Sequence, residues 1–169
     1  MRIVAGRHRG RRLIGPESLD IRPTSDRARE ALFNILAHGD YETPKGPMPR
    51  DIAVLDVFAG TGALGLEALS RGAASVCFIE RNKAAARLIQ DTTAAMGEEA
   101  RVHVLIRDAT RPGQAPASFD LVLMDAPYRT EQSEPSLAAL AEMGWLNKGC
   151  ICCVELAKKE SFQPDPAFT

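Results

Sequence analysis

The sequence is poor in several features that mark particular classes of protein. Aromatic residues make up 5% of its 169 residues, and its formal net charge is −1. No run of about 20 consecutive apolar residues offers a membrane span, and residues 1–6 have no apolar segment long enough for a secretory signal. We therefore expect a cytoplasmic protein without an overall positive field for nucleic acid.

Cysteines are also few, and their spacing fits neither a disulfide framework nor a zinc site. Cys150, Cys152 and Cys153 share one apolar run, and Cys77 lies in another. Structural zinc sites take cysteine and histidine pairs at fixed spacings, and disulfide frameworks belong mainly to small secreted domains. We expect four reduced thiols in the core and no metal.

The length and composition are those of an ordinary globular domain, with 45% apolar and 25% charged residues. Three prolines and a glycine between Tyr41 and Pro49 deny regular structure there. This boundary predicts an N-terminal extension over 1–50 and a core over 51–169, both parts of one domain. We expect a monomer.

The first twelve residues hold five arginines, at positions 2, 7, 9, 11 and 12, and no acid precedes Glu17. Short β-prone pieces around Gly6 and Gly10 predict a hairpin over residues 2–14 that carries these arginines on its exposed side. A local positive field could bind RNA, although a solvated arm would have the same composition.

A helix is predicted after Pro23-Thr24-Ser25-Asp26, because serine and aspartate there can cap its first turn. Its apolar positions Ala28, Leu32, Ile35 and Leu36 are assigned to one buried face, and Gly39 ends it.

From residue 51 onward, short apolar runs alternate with helical patterns. Apolar strands separated by helices predict an α/β fold with a mostly parallel sheet covered on both faces. Such sheets bind ligands at the carboxyl ends of their strands. The predicted elements are 52–58, 64–70, 75–80, 83–96, 102–106, 119–125, 135–143 and 150–156.

A glycine-rich turn follows the first core strand, with the spacing Gly60-x-Gly62-x-x-Gly65. Proteins that bind NAD, FAD or S-adenosylmethionine use similar turns. Asp56 ends this strand, and its carboxylate would repel a pyrophosphate but attract the ammonium and sulfonium of S-adenosylmethionine. The alternative role for Asp56 is to cap the loop.

Carboxylates also follow the second and third strands. Glu80 could accept hydrogen bonds from the two hydroxyls of a ribose. Asp108 could accept one from an adenine amino group, with Ala109 leaving room for the ring, although an isolated acid at this position is more often a turn residue.

The fourth strand ends in Asp125-Ala126-Pro127-Tyr128. The Asp125 carboxylate and the Ala126 carbonyl could accept hydrogen bonds from an exocyclic amine and orient its lone pair. Pro127 would fix the angle of that carbonyl, and Tyr128 could stack on a flipped base. A plain strand-ending turn is the alternative.

Together these motifs resemble the bacterial small-subunit rRNA guanine-N2 methyltransferases of the RsmD type, over nearly the whole chain. The matching segments are 2–6, 9–11, 22–27, 33–36, 56–65 and 125–128. The N-terminal segments are the specific ones, because many amino methyltransferases share the glycine loop and the Asp-x-Pro-Tyr element.

The resemblance implies a class I (Rossmann-like) methyltransferase fold, S-adenosylmethionine as methyl donor and one guanine of 16S rRNA, in assembled or assembling small subunits, as substrate. It implies cofactor contacts from Asp56, Phe58, Ala59, Gly60, Gly62, Glu80, Asp108 and Ala109, and catalysis by Asp125, Ala126, Pro127 and Tyr128. It assigns RNA contacts to Arg7, Arg9, Arg11, Arg12, Arg22, Thr24 and Arg27.

The sequence departs from this family at two places. Ala126 stands where the family usually has proline, which leaves the carbonyl but loosens the loop. The class I fold normally continues into an antiparallel hairpin beyond residue 169, so we expect that hairpin to be missing from this sequence.

Three rival functions stay open. The same tetrapeptide could grip another planar amine, in adenine-N6 or protein-glutamine methylation. An NAD-dependent oxidoreductase is disfavoured by Asp56 and by the lack of an evident proton-relay residue. A non-catalytic RNA-binding assembly factor could keep the fold, with Ala126 as a sign of lost activity.

Overall fold

In the part of the chain that the structure describes, five strands form one sheet in the order β3-β2-β1-β4-β5, and all four neighbouring pairs are parallel. The computed structural model describes residues 1–13, 25–41, 46–127, 130–157, 160–166 and 168. Its strands are β1 (Ala53–Val57), β2 (Ser75–Ile79), β3 (Val102–Leu105), β4 (Phe119–Met124) and β5 (Leu146–Val154). Its helices are α1 (Asp26–His38), α2 (Ala63–Ser70), α3 (Lys83–Met96) and α4 (Ser133–Glu142), with a 3-10 turn at Glu99–Arg101.

The helices cover both faces of the sheet, as the α/β pattern predicts. On one face, Leu66 of α2 and Ile89 of α3 share a buried cluster with Val54 of β1. On the other face, Leu137 of α4 packs in a second cluster with Leu55. The chain leaves β1 toward β2 on one side and returns to β4 on the other, so a topological switch point lies between β1 and β4.

The sequence pattern located the core elements to within a few residues, except at β5. The predicted strand began at Cys150, whereas β5 begins at Leu146 and contains a register shift opposite residues 119–121. Gly149 has a φ of 79° there. The glycine and the polar residues beside it hide this first part of the strand from an apolar pattern.

The predicted buried face of α1 was right at Leu32 and Leu36 and wrong at Ala28 and Ile35, whereas the helix and both its caps were right. Ser25 accepts a hydrogen bond from the Ala28 N–H, and the helix ends at Gly39. The buried positions are Arg29, Phe33 and Leu36, whereas Ile35 is 60% exposed. An apolar count misses the buried Arg29, which pairs with Asp26 one turn earlier and with Glu67 38 residues later.

The predicted hairpin is present in residues 2–13, where Arg2 and Arg12 form an antiparallel bridge. It lies along α2. Met1 Sδ lies 3.8 Å from the Thr61 hydroxyl just before α2, and the Arg7 N–H donates to the carbonyl of Ser70, the last residue of α2.

Gly6 lets the hairpin approach α2. It has a φ of 81°, and a Cβ there would lie 1.9 Å from the Ser70 carbonyl oxygen. Gly10 has a similar φ of 85° but has no atom within 4 Å of the position of a Cβ. A comparison of alanine at these two positions therefore separates the free-energy cost of backbone strain from that of a steric clash.

We expect Gly6→Ala to destabilise the fold more than Gly10→Ala. Both substitutions put alanine in the left-handed region at roughly 1 kcal/mol, but only Gly6→Ala also forces the hairpin from α2, for about 2 kcal/mol more. Urea unfolding of the two variants measures the difference. Equal losses in both variants would show that the contact with Ser70 contributes nothing.

Candidate active site

The glycine loop after β1 adopts a backbone that side chains disfavour. Phe58, Gly60 and Gly62 have φ values of 60°, 55° and 74°. Phe58 is therefore a non-glycine residue in the left-handed region, an uncommon conformation that is enriched at functional sites. A Cβ on Gly65 would lie 2.4 Å from the Phe78 ring, so the third glycine allows α2 to pack on β2.

Asp56 is buried beneath this loop and is 1% exposed. Its Oδ2 accepts a hydrogen bond of 2.8 Å from the Gly65 N–H. Burial raises its pKa well above the usual aspartate value, and the nearby charges of Asp125 and Glu80 raise it further. One oxygen of Asp56 thus has the loop-capping role considered for it, and a cation bound nearby would favour the charged form of this carboxylate.

Glu80 ends β2 and also supports the loop. Its Oε2 accepts from the Gly60 N–H at 2.7 Å, and its Oε1 accepts from the Asn82 N–H at 2.7 Å. A carboxylate has about four acceptor sites. Glu80 can therefore hold the loop and still accept bonds from a ligand, and its contact with a ribose stays a prediction.

Asp125 and Ala126 lie directly across the switch point from the glycine loop. The Asp125 N–H points at the Val57 carbonyl at 3.4 Å, which joins the ends of β4 and β1. Asp125 is half-buried, and Ala126 is 6% exposed. The Pro127 carbonyl accepts a bond from the Thr130 hydroxyl, whereas Tyr128 lies outside the described residues.

Three carboxylates therefore converge at the strand ends. Asp125 and Glu80 are close enough to Asp56 for both charges to raise its pKa. Like charges at such distances are unfavourable unless a cation shares the site. The crevice between β1, β2 and β4 is thus built to attract a cationic ligand and to repel phosphate.

Asp108 is in a different environment from these three. It is exposed, and its Oδ1 accepts from the Thr110 N–H and hydroxyl, which lower its pKa. This is the turn geometry considered as the alternative. Ala109 beside it is 3% exposed, and a contact between Asp108 and an adenine stays a prediction.

The arginine-bearing hairpin does not reach this crevice with its tip. Arg7 and His8 both contact the nearly buried carboxylate of Glu98, at 3.2 and 2.7 Å. An Arg11 nitrogen donates to the Ala95 carbonyl. These contacts lie at the C-terminal ends of α2 and α3, and the eight residues of α2 span about 12 Å. Any RNA bound there extends well past the crevice.

The other arginines assigned to RNA are dispersed. Arg9, Arg12 and Arg27 are exposed. Arg22 and Thr24 lie outside the described residues. RNA contact by these five residues, and by Arg7 and Arg11 of the hairpin, stays a prediction.

Sequence reasoning missed two buried charges that fix the hairpin and α1 to the core. Glu67 of α2 and Arg29 of α1 are both 0% exposed, with Arg29 Nε 3.4 Å from a Glu67 oxygen. Glu67 also accepts the N–H groups of Val4 and Ala5. Glu67 could have been singled out from the sequence, because it is the one charged residue in the α2 segment 63–70.

The described residues contain no group of three or more histidine, cysteine or acidic side chains that could hold a metal ion. No helix among them is long and apolar enough to cross a membrane. The four cysteines are free, and burial raises the pKa of the Cys77 thiol to about 12. Cys77 therefore has the character of a core residue.

Known proteins resemble the chain along almost its whole length. The model of the family described as conserved hypothetical protein 95 matches residues 1–168. Ribosomal RNA small subunit methyltransferase D of Escherichia coli is 38% identical over 168 residues, which are 99% of this chain and 80% of that protein. The Haemophilus influenzae protein of the same name is 36% identical over 94% of this chain and 79% of its own length.

The solved structure of the Escherichia coli protein yhhF superposes on this chain with a TM-score of 0.83 at 36% identity. The match covers 99% of this chain and 86% of that one. The fold is therefore that of class I methyltransferases. Such a fold, together with relatives named as methyltransferases, implies a methyl donor of the S-adenosylmethionine type.

Proposed function

The chain belongs to the family of conserved hypothetical protein 95, that of the RsmD-type ribosomal RNA methyltransferases, and we propose that it methylates the exocyclic N2 amine of one guanine in 16S rRNA. S-adenosylmethionine is the methyl donor in this proposal, and S-adenosylhomocysteine is the product. The small ribosomal subunit or its precursor carries the substrate.

The observation that carries the proposal is the convergence of Asp56, Glu80 and Asp125 around a glycine loop. A dinucleotide would bring phosphates to this loop, and three carboxylates would repel them. S-adenosylmethionine instead brings an ammonium and a sulfonium. Gly60 and Gly62, both with positive φ, leave room for it to approach the main chain.

The residues of this chain would bind the cofactor in separate roles. Asp56 stabilises its cationic end, and Glu80 accepts bonds from the ribose hydroxyls with its remaining lone pairs. The floor of the cofactor site is the backbone of Phe58, Ala59, Gly60 and Gly62. Asp108 and Ala109 take the adenine at the end of β3, on the side away from Asp125.

Catalysis depends mainly on positioning. When bound, the cofactor supplies an electrophilic methyl group. The Asp125 carboxylate and the Ala126 carbonyl accept hydrogen bonds from the guanine amine, whose lone pair is otherwise delocalised into the ring, and turn it toward that methyl group. Pro127 restricts the backbone of Ala126, and Tyr128 stacks on the flipped base. The proton leaves to solvent or to Asp125 after transfer.

The proposal is tested by incubating the protein with radiolabelled S-adenosylmethionine and small subunits from a strain that lacks the gene. Nuclease digestion then separates the labelled nucleosides. We expect the label in N2-methylguanosine. Label in adenosine or in protein would show that the protein methylates a different amine. Absence of label from every product would favour the non-catalytic assembly factor.

We expect Asp56→Asn to weaken cofactor binding by about tenfold, or 1.4 kcal/mol, because asparagine still accepts from the Gly65 N–H but has no charge. The loss should be larger for S-adenosylmethionine than for S-adenosylhomocysteine, which has no sulfonium. Calorimetric titration of both ligands measures this difference. Equal affinity of wild type and variant for S-adenosylmethionine would show that Asp56 does not bind the cofactor.

The same variant should stabilise the free protein at neutral pH. Burial raises the pKa of Asp56 in the folded state, so the unfolded chain loses this proton first as the pH rises. The contribution of Asp56 to stability therefore falls between the unfolded and the folded pKa and stays lower above both. Thermal unfolding at pH 5 and pH 8 should show a gain for Asp56→Asn that is larger at pH 8.

A further inference from the structure

A second basic surface borders the crevice at the ends of β2 and β3, and we propose that its Arg81 and Arg111 bind phosphates of the RNA substrate. This surface, the β2–β3 rim, consists of Arg81, Arg107 and Arg111. The inference rests on the proposed function, because it requires an RNA whose target base enters the crevice. It adds a contact surface to the N-terminal hairpin.

Strand register brings the rim together. Ile79 of β2 pairs with Leu105 of β3, so Arg81 and Arg107 each follow their strand by two residues on neighbouring strands. Parallel strands lie about 4.8 Å apart. The Arg111 N–H donates to the Asp108 carbonyl at 3.0 Å, which turns the chain back toward the same edge.

The rim has more positive charge than the neighbouring Asp108 carboxylate can balance. All three arginines are exposed. Within the described part of the chain, neither Arg81 nor Arg111 has a carboxylate within ion-pair distance. Hydrogen bonds from Thr110 lower the pKa of Asp108, and the charges of Arg81 and Arg111 lower it further. Arg107 donates to the Pro112 carbonyl and holds the loop.

The acidic crevice explains why such a rim is needed. Asp56, Glu80 and Asp125 attract a cation but repel the phosphates on either side of a base that enters from RNA. Asp125 lies at the end of β4, two strand spacings from β2, or about 10 Å. Arg81 therefore lies where it can offset the repulsion that these carboxylates exert on a phosphate a few nucleotides from the target.

The tip of the hairpin cannot supply this contact, because it bonds to Ser70 and Glu98, at the opposite end of α2 from the glycine loop. The hairpin and the rim are thus separate surfaces, and each can hold a different stretch of the RNA backbone. Phosphate contacts of this kind position the substrate without reading its sequence.

The double variant Arg81→Gln, Arg111→Gln tests the rim, with Arg87→Gln as the matched control. Arg87 is also an exposed arginine, but it lies on α3 and pairs with Asp91 at 3.2 Å. Binding to small subunits from the gene-deletion strain is measured by filter retention between 50 and 200 mM KCl. Titration with S-adenosylhomocysteine and thermal unfolding accompany each variant.

We expect the double variant to bind subunits at least tenfold more weakly near 100 mM salt and to raise KM equally, with kcat unchanged. The slope of log K against log salt should fall by roughly 0.7 for each lost contact to single-stranded phosphate, whereas Arg87→Gln keeps the wild-type slope. S-adenosylhomocysteine affinity should stay within about twofold of wild type.

Each of the other outcomes would contradict the binding of RNA phosphates by the rim. An unchanged salt slope and KM in a wild-type enzyme that does methylate rRNA would overturn the rim and leave the proposed function standing. A loss of S-adenosylhomocysteine affinity alone would assign the rim to the cofactor. Absence of methyl transfer by the wild-type protein would overturn the proposed function and this inference with it.

Discussion

Asp125→Ala should lower kcat for methyl transfer by about a hundredfold to a thousandfold, the usual loss when one hydrogen-bonding group is removed from a reacting centre. The half-buried carboxylate is held beside β1 at the switch point, where it can accept a bond from the target amine. Alanine leaves the amine with the Ala126 carbonyl as its remaining acceptor, and its lone pair is then less well aligned.

Cofactor affinity separates this role from that of Asp56. S-adenosylhomocysteine should bind Asp125→Ala within about threefold of wild type, or roughly 0.7 kcal/mol. Single-turnover transfer from labelled S-adenosylmethionine measures the chemical step, and calorimetry measures binding. Glu142→Ala is the control, since Glu142 is an exposed carboxylate at the far end of α4. Equal loss of cofactor affinity in the Asp56 and Asp125 variants would contradict the division of roles.

Glu67→Ala should be the most destabilising single change considered, by about 3–5 kcal/mol. It leaves the Arg29 guanidinium, which is 0% exposed, without its carboxylate on α2. It also removes the acceptor for the Val4 and Ala5 N–H groups and for Arg71 Nε. A buried charge without its partner costs more than the pair contributed when intact.

Two further variants make this result specific. Asp91→Ala breaks the exposed pair with Arg87 and should cost about 0.5 kcal/mol or less. The double variant Arg29→Met, Glu67→Leu removes both buried charges and should recover part of the loss. Urea unfolding compares all three, and limited proteolysis reports release of the hairpin. A cost below 1 kcal/mol for Glu67→Ala would show that water or Asp26, whose Oδ1 lies 2.8 Å from Arg29 Nη2, satisfies the guanidinium without Glu67.

The sequence predicted the sheet because parallel strands buried on both faces must be apolar throughout. Strands β1, β2 and β4 come close to that condition, with Asp56 and Asp120 as their charged exceptions. Helix α3 has its predicted bounds, and in the structure Asn82 caps it and Gly97 ends it in the left-handed region. The strand ends then follow from topology. Asp56, Glu80 and Asp125 could therefore be assigned to one crevice from the sequence.

What the sequence could not predict depends on contacts between distant residues. The buried face of α1 includes Arg29, whose burial is possible because Glu67, 38 residues later, accepts from it. The position of the hairpin tip depends on Ser70 and Glu98, and a local pattern contains neither contact. Asp108 was predicted to face a ligand, whereas its bonds to Thr110 occupy one of its oxygens, a local competition that spacing does not reveal.

The count of methyl groups transferred to each small subunit tests the central claim most directly. Subunits from the gene-deletion strain are incubated to completion with labelled S-adenosylmethionine, and their 16S rRNA is digested and analysed by mass spectrometry. The account predicts close to one methyl group per subunit, on N2 of a single guanosine, and none with Asp125→Ala. Transfer to several nucleotides, transfer to a different base, or full transfer by Asp125→Ala would contradict it.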